Sequence, residues 1–341
     1  MRAHPAAGPD SPALVLVTRR LPAAAMVRLA AHVRLTVPEG DAPVARGELL
    51  RAVAGRVGII TVLTDIVDDA LLTAAGPQLR IVANYAVGYD NVDVGACTAR
   101  GVLVCNTPDV LTEATADCAF GLVLAAARRV AEGDRLVRSG RPWAWGPEFM
   151  LGTDVHGKTL GLVGLGRIGR AVARRGRGFG MRVVYSARAR QPPAVERELA
   201  ATWMPLRELL QTSDVVSLHT SLSPTTRHLI DRERLGWMKP SAVLVNTARG
   251  PIIDEAALAE ALAAGRLRAC GLDVYEHEPA VHPGLLANPR AVLLPHLGSA
   301  TEETRLAMAD LAIDNLLAGL RGERPPTPVN PELLDPTRSA G

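Results

Sequence analysis

The chain has 341 residues, more than one hydrophobic core usually organises, so its length predicts two domains. Apolar residues make up 48% of the chain and charged residues 21%, which argues against a disordered, collagen-like or purely coiled-coil protein. The 38 basic and 35 acidic residues leave a formal net charge of only +3, so no nucleic-acid partner is expected.

The pattern of apolar residues predicts neither a membrane partner nor secretion. No apolar run approaches the roughly 18 residues needed to span a bilayer, and residues 1–12 lack the basic and apolar regions of a signal peptide. We therefore expect a cytoplasmic protein. The cysteines form no C-x-x-C pair and no metal-ligand spacing, so reduced thiols and no bound metal are expected at Cys97, Cys105, Cys118 and Cys270.

From residue 13, short apolar runs alternate with segments of helical period. Strands are predicted at 13–17, 34–37, 57–63, 79–84 and 102–106, with helices at 23–32, 47–54, 68–75 and 92–100. A long helix is predicted at 112–130, followed by a Gly-, Pro- and Trp-rich stretch at 133–152. Further strands are predicted at 159–163, 181–185, 215–219, 242–247, 269–274 and 291–294, and a final helix at 302–317. The alternation predicts an α/β fold with parallel sheets covered by helices on both faces.

A glycine-rich loop follows the predicted strand at 159–163 and opens an amphipathic segment. Its glycines, Gly164, Gly166 and Gly169, have the spacing G-x-G-x-x-G. The first glycine permits a tight turn, the second allows close approach of a pyrophosphate, and the third allows close packing of the helix on the strand. The loop therefore predicts a dinucleotide site that also includes Arg167 and Ile168.

The end of the next strand indicates which dinucleotide is bound. An NAD site usually has an Asp or Glu there for the ribose hydroxyls, whereas this chain has no carboxylate between residues 184 and 190. It offers Ser186, Arg188 and Arg190, which suit a 2′-phosphate. We predict that NADPH is preferred and that NAD remains possible. The alternative is that the two arginines only belong to a solvated surface loop and bind no phosphate.

Three polar segments, at 246–250, 273–279 and 295–299, stand at the ends of predicted strands in the second half. Doubly wound sheets bind their ligands at that edge. Arg249, Glu278 and His296 would there provide an anion clamp and an oriented acid/base pair.

From about residue 13 to residue 331 the chain resembles the D-isomer-specific 2-hydroxyacid dehydrogenases. The resemblance rests on the glycine-rich loop and on the stretches at 84–91, 106–117, 246–250, 271–279 and 294–299. Within that family the chain is most similar to the glyoxylate and hydroxypyruvate reductases.

The resemblance implies the roles of the site residues. His296 would donate a proton to the substrate carbonyl oxygen, Glu278 would orient its imidazole, and Arg249 would bind the substrate carboxylate. Backbone N–H groups of Val87 and Gly88 would bind the same carboxylate. Further cofactor contacts are implied for Thr115, Thr247, Ala248, Asp273, His296 and Gly298.

The same resemblance implies the domain organisation and the reaction. Residues 1–107 and 299–341 would form a flavodoxin-like substrate domain and 108–298 a Rossmann cofactor domain, with the substrate in a cleft between them. The helix from residue 112 is the usual dimer element in relatives, so a homodimer is expected. The expected reaction is NAD(P)H-dependent reduction of glyoxylate or hydroxypyruvate to the 2-hydroxy acid.

Two alternatives stay open at this point. One is a dehydrogenase for another 2-hydroxy acid or for 3-phosphoglycerate, although no regulatory domain follows residue 331. The other is a nucleotide-sensing protein similar to the corepressors that share this fold, although the chain has no long partner-binding extension.

Overall fold

The computed structural model describes residues 12–40 and 42–335. The chain divides into two compact units. Unit 1 runs through Leu111 and resumes at Thr301, and unit 2 is Thr112–Ala300. The sequence placed these junctions at 107–108 and 298–299; the substrate and cofactor roles assigned to the two units stay predictions.

Within the described residues, helices and strands alternate along most of the chain. The strands are β1 (Leu14–Val17), β2 (Arg34–Thr36), β3 (Gly58–Thr61), β4 (Ile81–Asn84), β5 (Leu103–Cys105), β6 (Thr159–Val163), β7 (Arg182–Ser186), β8 (Ala201–Trp203), β9 (Val215–Leu218), β10 (Val243–Asn246), β11 (Ala269–Leu272) and β12 (Ala291–Leu293). The helices are α1 (Ala23–Ala30), α2 (Arg46–Val53), α3 (Asp69–Ala75), α4 (Val94–Ala99), α5 (Thr112–Ala127), α6 (Val130–Arg138), α7 (Arg167–Gly178), α8 (Pro193–Leu199), α9 (Leu206–Thr212), α10 (Arg232–Leu235), α11 (Glu255–Ala263), α12 (Pro283–Leu286) and α13 (Glu302–Arg321). Short 3-10 turns cover Gly250–Ile252 and Pro331–Leu334.

Unit 1 is built on a parallel sheet whose strand order is β2-β1-β3-β4-β5. That order is the flavodoxin-like doubly wound arrangement. Helix α13 returns to this unit from the far end of the chain and packs on β4, where a Cβ on Gly319 would lie 2.4 Å from Cδ1 of Ile81. A larger residue at 319 would require the Ile81 side chain to shift, so glycine favours this close approach of the helix to the strand.

Unit 2 is built on a parallel sheet with the order β12-β11-β10-β9-β6-β7-β8. Read from β6, the strands run outward in one direction to β8 and then, from β9, in the other direction to β12. This is the Rossmann order, and its reversal lies between β6 and β9, the point at which such sheets bind ligands. The predicted fold class, two doubly wound parallel sheets, is confirmed.

Helices cover both faces of the sheet in unit 2. Val243 and Val245 of β10 pack in the core that α5 covers, whereas Leu244 between them packs in the core on the opposite face. Successive side chains of a strand point to opposite faces, so a strand buried on both sides must be apolar throughout. This explains the continuous apolar runs in the sequence.

The structure corrects two details of the predicted elements. The helix predicted from about 112 to 130 is present as α5, but it ends earlier, at Ala127, and a second helix, α6, begins at Val130. Arg129 between them has a φ of 56°, which no right-handed helix accommodates. Strand β8 was not predicted, because it has only three residues at the sheet edge, two of them exposed.

Two chemical features of the described residues bear on the expectations above. None of the helices in this part of the chain is long and apolar enough to cross a bilayer. The same residues contain no group of three or more His, Cys, Asp or Glu side chains placed to hold a metal ion, and all four cysteines are free.

Candidate active site

The glycine-rich loop lies where the strand order of unit 2 reverses. Gly164 has a φ of 98°, and a Cβ there would lie 2.4 Å from the backbone oxygen of His219, which follows β9. A Cβ on Gly169 would lie 2.4 Å from the backbone oxygen of Gly164. A Cβ on Gly166, in contrast, would meet no atom of the described residues within 4 Å. The first and third glycines are thus required by the packing of the protein itself, whereas the second faces open space, and its contact with a dinucleotide phosphate stays a prediction.

This difference gives a prediction for two matched variants. Gly164→Ala should lower the free energy of unfolding by about 2–4 kcal/mol, because it adds a strained φ to a backbone overlap. Gly166→Ala should change that free energy by less than about 0.5 kcal/mol yet raise KM for the nicotinamide cofactor roughly tenfold. Urea unfolding and steady-state kinetics measure the two effects. Unchanged cofactor KM in Gly166→Ala would contradict the assignment of the loop.

The predicted 2′-phosphate residues lie after β7 and differ in their surroundings. Ser186 ends the strand and is half-buried, and Arg188 is exposed. Arg190 pairs with Glu196 through two contacts of 2.9 Å, and Tyr185 Oη donates to the same carboxylate at 2.8 Å. Because Glu196 already engages the guanidinium of Arg190, Arg188 is the better candidate for binding a phosphate.

His296 and Glu278 form the pair predicted from the sequence. His296 Nδ1 lies 2.9 Å from Glu278 Oε2, and Glu278 Oε1 accepts the backbone N–H of Tyr275 at 3.0 Å. Burial acts to raise the pKa of Glu278, but the hydrogen bond and charge of His296, the Tyr275 N–H and the charge of Arg249 together hold that pKa below its ordinary value. An ionised carboxylate can only accept, so in this pair Nδ1 of His296 carries the hydrogen, and Nε2 is the ring nitrogen outside the contact.

The backbone of His296 is held by Asp273. His296 has a φ of 58°, an uncommon conformation for a residue other than glycine. Its N–H donates to Asp273 O at 2.9 Å, while the Asp273 carboxylate accepts the N–H groups of Leu297 at 2.6 Å and Gly298 at 2.7 Å. Burial raises the pKa of Asp273, against the effect of these hydrogen bonds. Asp273 therefore fixes the histidine loop, and its predicted cofactor contact would come in addition.

Arg249 lies at the end of the neighbouring strand β10, just before a 3-10 turn. Asn246 Nδ2 donates to Arg249 O at 2.9 Å, which fixes the loop. The guanidinium of Arg249 donates to Ala248 O at 2.9 Å, and its charge contributes to lowering the pKa of Glu278. A Cβ on Gly250 would lie 1.8 Å from the carbonyl of Tyr275, so the Arg249 segment packs directly on the Glu278 segment. The structure thus brings Arg249, Glu278 and His296 together at adjacent strand ends.

Several residues predicted to contact the cofactor lie around the pair of His296 and Glu278. Thr115 is buried, and a Cβ on Gly298 would lie 3.4 Å from Thr115 Cγ2 and 3.1 Å from Asp273 Oδ2. Thr247 Oγ1 is buried and has no hydrogen-bond partner among the described residues. A buried hydroxyl without a protein partner suits a bound polar ligand. Arg167 begins α7 beside the glycine-rich loop and is exposed.

Val87 and Gly88 belong to unit 1. Asn106 Nδ2 donates to Val87 O at 2.8 Å, and Asn84 Nδ2 donates to Gly88 O at 3.0 Å. These side-chain amides fix the peptide units of the loop. The role of the Val87 and Gly88 N–H groups in binding a carboxylate stays a prediction.

Comparison with known proteins identifies the family. Residues 120–298 match the model of the NAD-binding domain of the D-isomer-specific 2-hydroxyacid dehydrogenases. The glyoxylate reductase of Thermococcus onnurineus is 49% identical over 325 residues, which cover 94% of this chain and 97% of that protein. The chain belongs to the D-isomer-specific 2-hydroxyacid dehydrogenases. The predicted family is thereby confirmed, and with it an NAD(P)-dependent enzyme that reduces a 2-oxo acid to a 2-hydroxy acid.

Solved structures of such dehydrogenases share the fold. The chain matches a glyoxylate reductase from Paecilomyes thermophila with a TM-score of 0.84 at 39% identity, covering 95% of this chain and 99% of that one. It also matches an NADPH-dependent glyoxylate/hydroxypyruvate reductase from Sinorhizobium meliloti, solved with NADP and malonate, with a TM-score of 0.81 at 36% identity; the match covers 94% and 97% of the two chains.

Proposed function

We propose that this dehydrogenase reduces glyoxylate or hydroxypyruvate, with NADPH as the preferred cofactor. The observation that carries the proposal is the His296–Glu278 pair, 2.9 Å apart beside Arg249, in the unit that holds the glycine-rich loop. The similarity to glyoxylate reductases supports a small 2-oxo acid as substrate.

The proposed reaction assigns one task to each of the three side chains. Arg249 binds the substrate carboxylate and stabilises the negative charge that develops on the adjacent carbonyl oxygen. His296 donates the Nε2 proton to that oxygen, and Glu278 keeps the imidazole in the required tautomer and orientation. The reduced nicotinamide, when bound, supplies the hydride that C2 of the substrate receives. In the reverse direction His296 accepts the proton.

The residues proposed to hold the cofactor fit its chemistry. The backbone around Gly166 would bind the pyrophosphate, Thr247 with the Ala248 backbone would border the nicotinamide half, and Ser186 with Arg188 would bind the 2′-phosphate. The preference for NADPH is supported by the two arginines and by the lack of a carboxylate at residues 184–190.

The unequal surroundings of the two arginines predict unequal effects. Arg188→Ala should lower kcat/KM for NADPH about 10- to 100-fold and leave that for NADH nearly unchanged, because a charged hydrogen bond to the phosphate is lost. Arg190→Ala should have a smaller effect, since Glu196 already engages that guanidinium. The ratio of kcat/KM for the two cofactors measures both. Equal losses with NADH and NADPH would contradict the assignment.

A kinetic panel tests the proposed function as a whole. The wild-type protein is assayed at 340 nm with each nicotinamide cofactor against glyoxylate, hydroxypyruvate and pyruvate. We expect turnover, with the highest kcat/KM for NADPH combined with glyoxylate or hydroxypyruvate. No detectable turnover of any of these acids would contradict the proposal and favour a larger 2-oxo acid as the substrate.

We also propose that the chain forms a homodimer. Several apolar side chains between residues 130 and 151 are largely exposed, and such exposed apolar surface is typical of protein interfaces. They are Val130 (56% exposed), Val137 (63%), Trp143 (56%), Trp145 (81%) and Leu151 (57%). Light scattering coupled to size-exclusion chromatography measures the assembly, and a monomer at micromolar concentration would contradict it. The cytoplasmic location stays a prediction.

A further inference from the structure

A buried carboxylate lies behind the loop that carries Glu278. Glu255 is the first residue of α11 and is only 8% exposed. Its Oε2 accepts the backbone N–H of Glu276 at 2.8 Å, and its Oε1 accepts the backbone N–H of His282 at 2.6 Å. One side chain thus binds both ends of the segment 276–282, in which Glu278 lies.

The segment 276–282 needs such an anchor. Residues 277–280 are exposed, and within the segment Ala280 N–H donates to His277 O at 2.8 Å, closing a turn. Exposed loops are mobile unless their backbone is held. Catalysis, in contrast, requires the acid/base pair to stay within a few tenths of an ångström of its working geometry.

A carboxylate suits this position better than an amide. Each oxygen of Glu255 faces a backbone N–H donor, so a glutamine would place its own NH2 group against one of the two donors. The position at the start of α11 also favours a negative charge, because the helix dipole is positive at that end. Asp254 already caps the helix by accepting the N–H of Ala257, so Glu255 is not needed as the cap.

We propose that Glu255 is a positioning residue for the reaction: by binding the N–H groups of Glu276 and His282, it holds Glu278 at hydrogen-bond distance from His296. The inference rests on the proposed function, since it acts through that pair. No pattern in the sequence predicted a role for Glu255. Its position directly after an N-capping aspartate was the one available signal.

The first test compares two substitutions of the same kind on one helix. Glu255→Gln should lower kcat about 10- to 100-fold, the usual cost of misplaced catalytic groups. KM for the 2-oxo acid should stay within about threefold, because Arg249 is untouched. The control is Glu260→Gln, which removes only the exposed ion pair with Arg232 and should leave both constants near wild type. Circular dichroism and melting curves confirm that both variants are folded at the assay temperature.

Two further readouts separate positioning from a general loss of structure. Glu255→Asp keeps two acceptor oxygens, so it should recover part of the kcat that Glu255→Gln loses. The pH dependence of reductive kcat/KM should also change. The profile of Glu255→Gln should change in the same direction as that of Glu278→Gln, because both variants weaken the hydrogen bond between Glu278 and His296. The Glu260→Gln control should keep the wild-type profile.

A double-mutant cycle tests whether Glu255 acts through Glu278. If Glu255 acts through Glu278, adding Glu255→Gln to Glu278→Gln should lower kcat by less than about twofold more. Additive losses would overturn the inference, as would wild-type kcat in Glu255→Gln. A Glu278→Gln enzyme with wild-type kcat would instead contradict the proposed function itself, and the inference with it.

Discussion

Replacing His296 by alanine should lower kcat for 2-oxo acid reduction by about two to four orders of magnitude. General acid catalysis contributes an effect of this size, and the imidazole is the group proposed to donate the proton. KM for the substrate should change much less, because Arg249 is the residue proposed to bind the carboxylate. Steady-state kinetics with a saturating nicotinamide cofactor measure both constants.

The matched control is His156→Ala, a change of the same kind in unit 2. His156 is exposed and packs against Gly180, where a Cβ would lie 2.8 Å from the imidazole Cε1. We expect kcat within about twofold of wild type there, as for most surface substitutions. A His296→Ala enzyme that retains more than about a tenth of wild-type kcat would contradict the assigned role of general acid.

The location of the candidate site could be predicted because it follows from sheet topology. Parallel strands end at one edge of a sheet, so polar residues after successive apolar runs must lie near one another. Arg249, Glu278 and His296 are up to 47 residues apart in the sequence. They nevertheless lie at the ends of β10, β11 and β12, which are neighbours in the sheet.

The features that the sequence did not indicate depend on tertiary contacts, and such contacts produce no periodic pattern of residues along the chain. The pairing of Arg190 with Glu196 joins a loop to a helix, so the sequence did not show that Arg188 and Arg190 have unequal surroundings. The packing of Gly250 on the Tyr275 carbonyl and the two hydrogen bonds of Glu255 are equally irregular. The break at Arg129 depends on one left-handed residue within an apolar, helix-favouring stretch. Such features follow from tertiary packing, which local patterns do not encode.

Arg249→Lys should raise KM for the 2-oxo acid about 10- to 100-fold and lower kcat at saturating substrate far less. Lysine keeps the positive charge that contributes to lowering the pKa of Glu278, so the pair with His296 should persist. The variant loses the planar guanidinium, which binds a carboxylate through two hydrogen bonds. A hydrogen bond to a charged group contributes about 1.5–3 kcal/mol.

The variant therefore separates the geometry of Arg249 from its charge. The control is Arg232→Lys, because Arg232 forms only an exposed ion pair with Glu260. This substitution should leave KM unchanged. If Arg249→Lys lowered kcat strongly with little change in KM, the arginine would act on the transition state alone rather than bind the ground-state carboxylate. Wild-type values of both constants would remove Arg249 from the site, since a bidentate contact cannot be exchanged for a single ammonium group without loss.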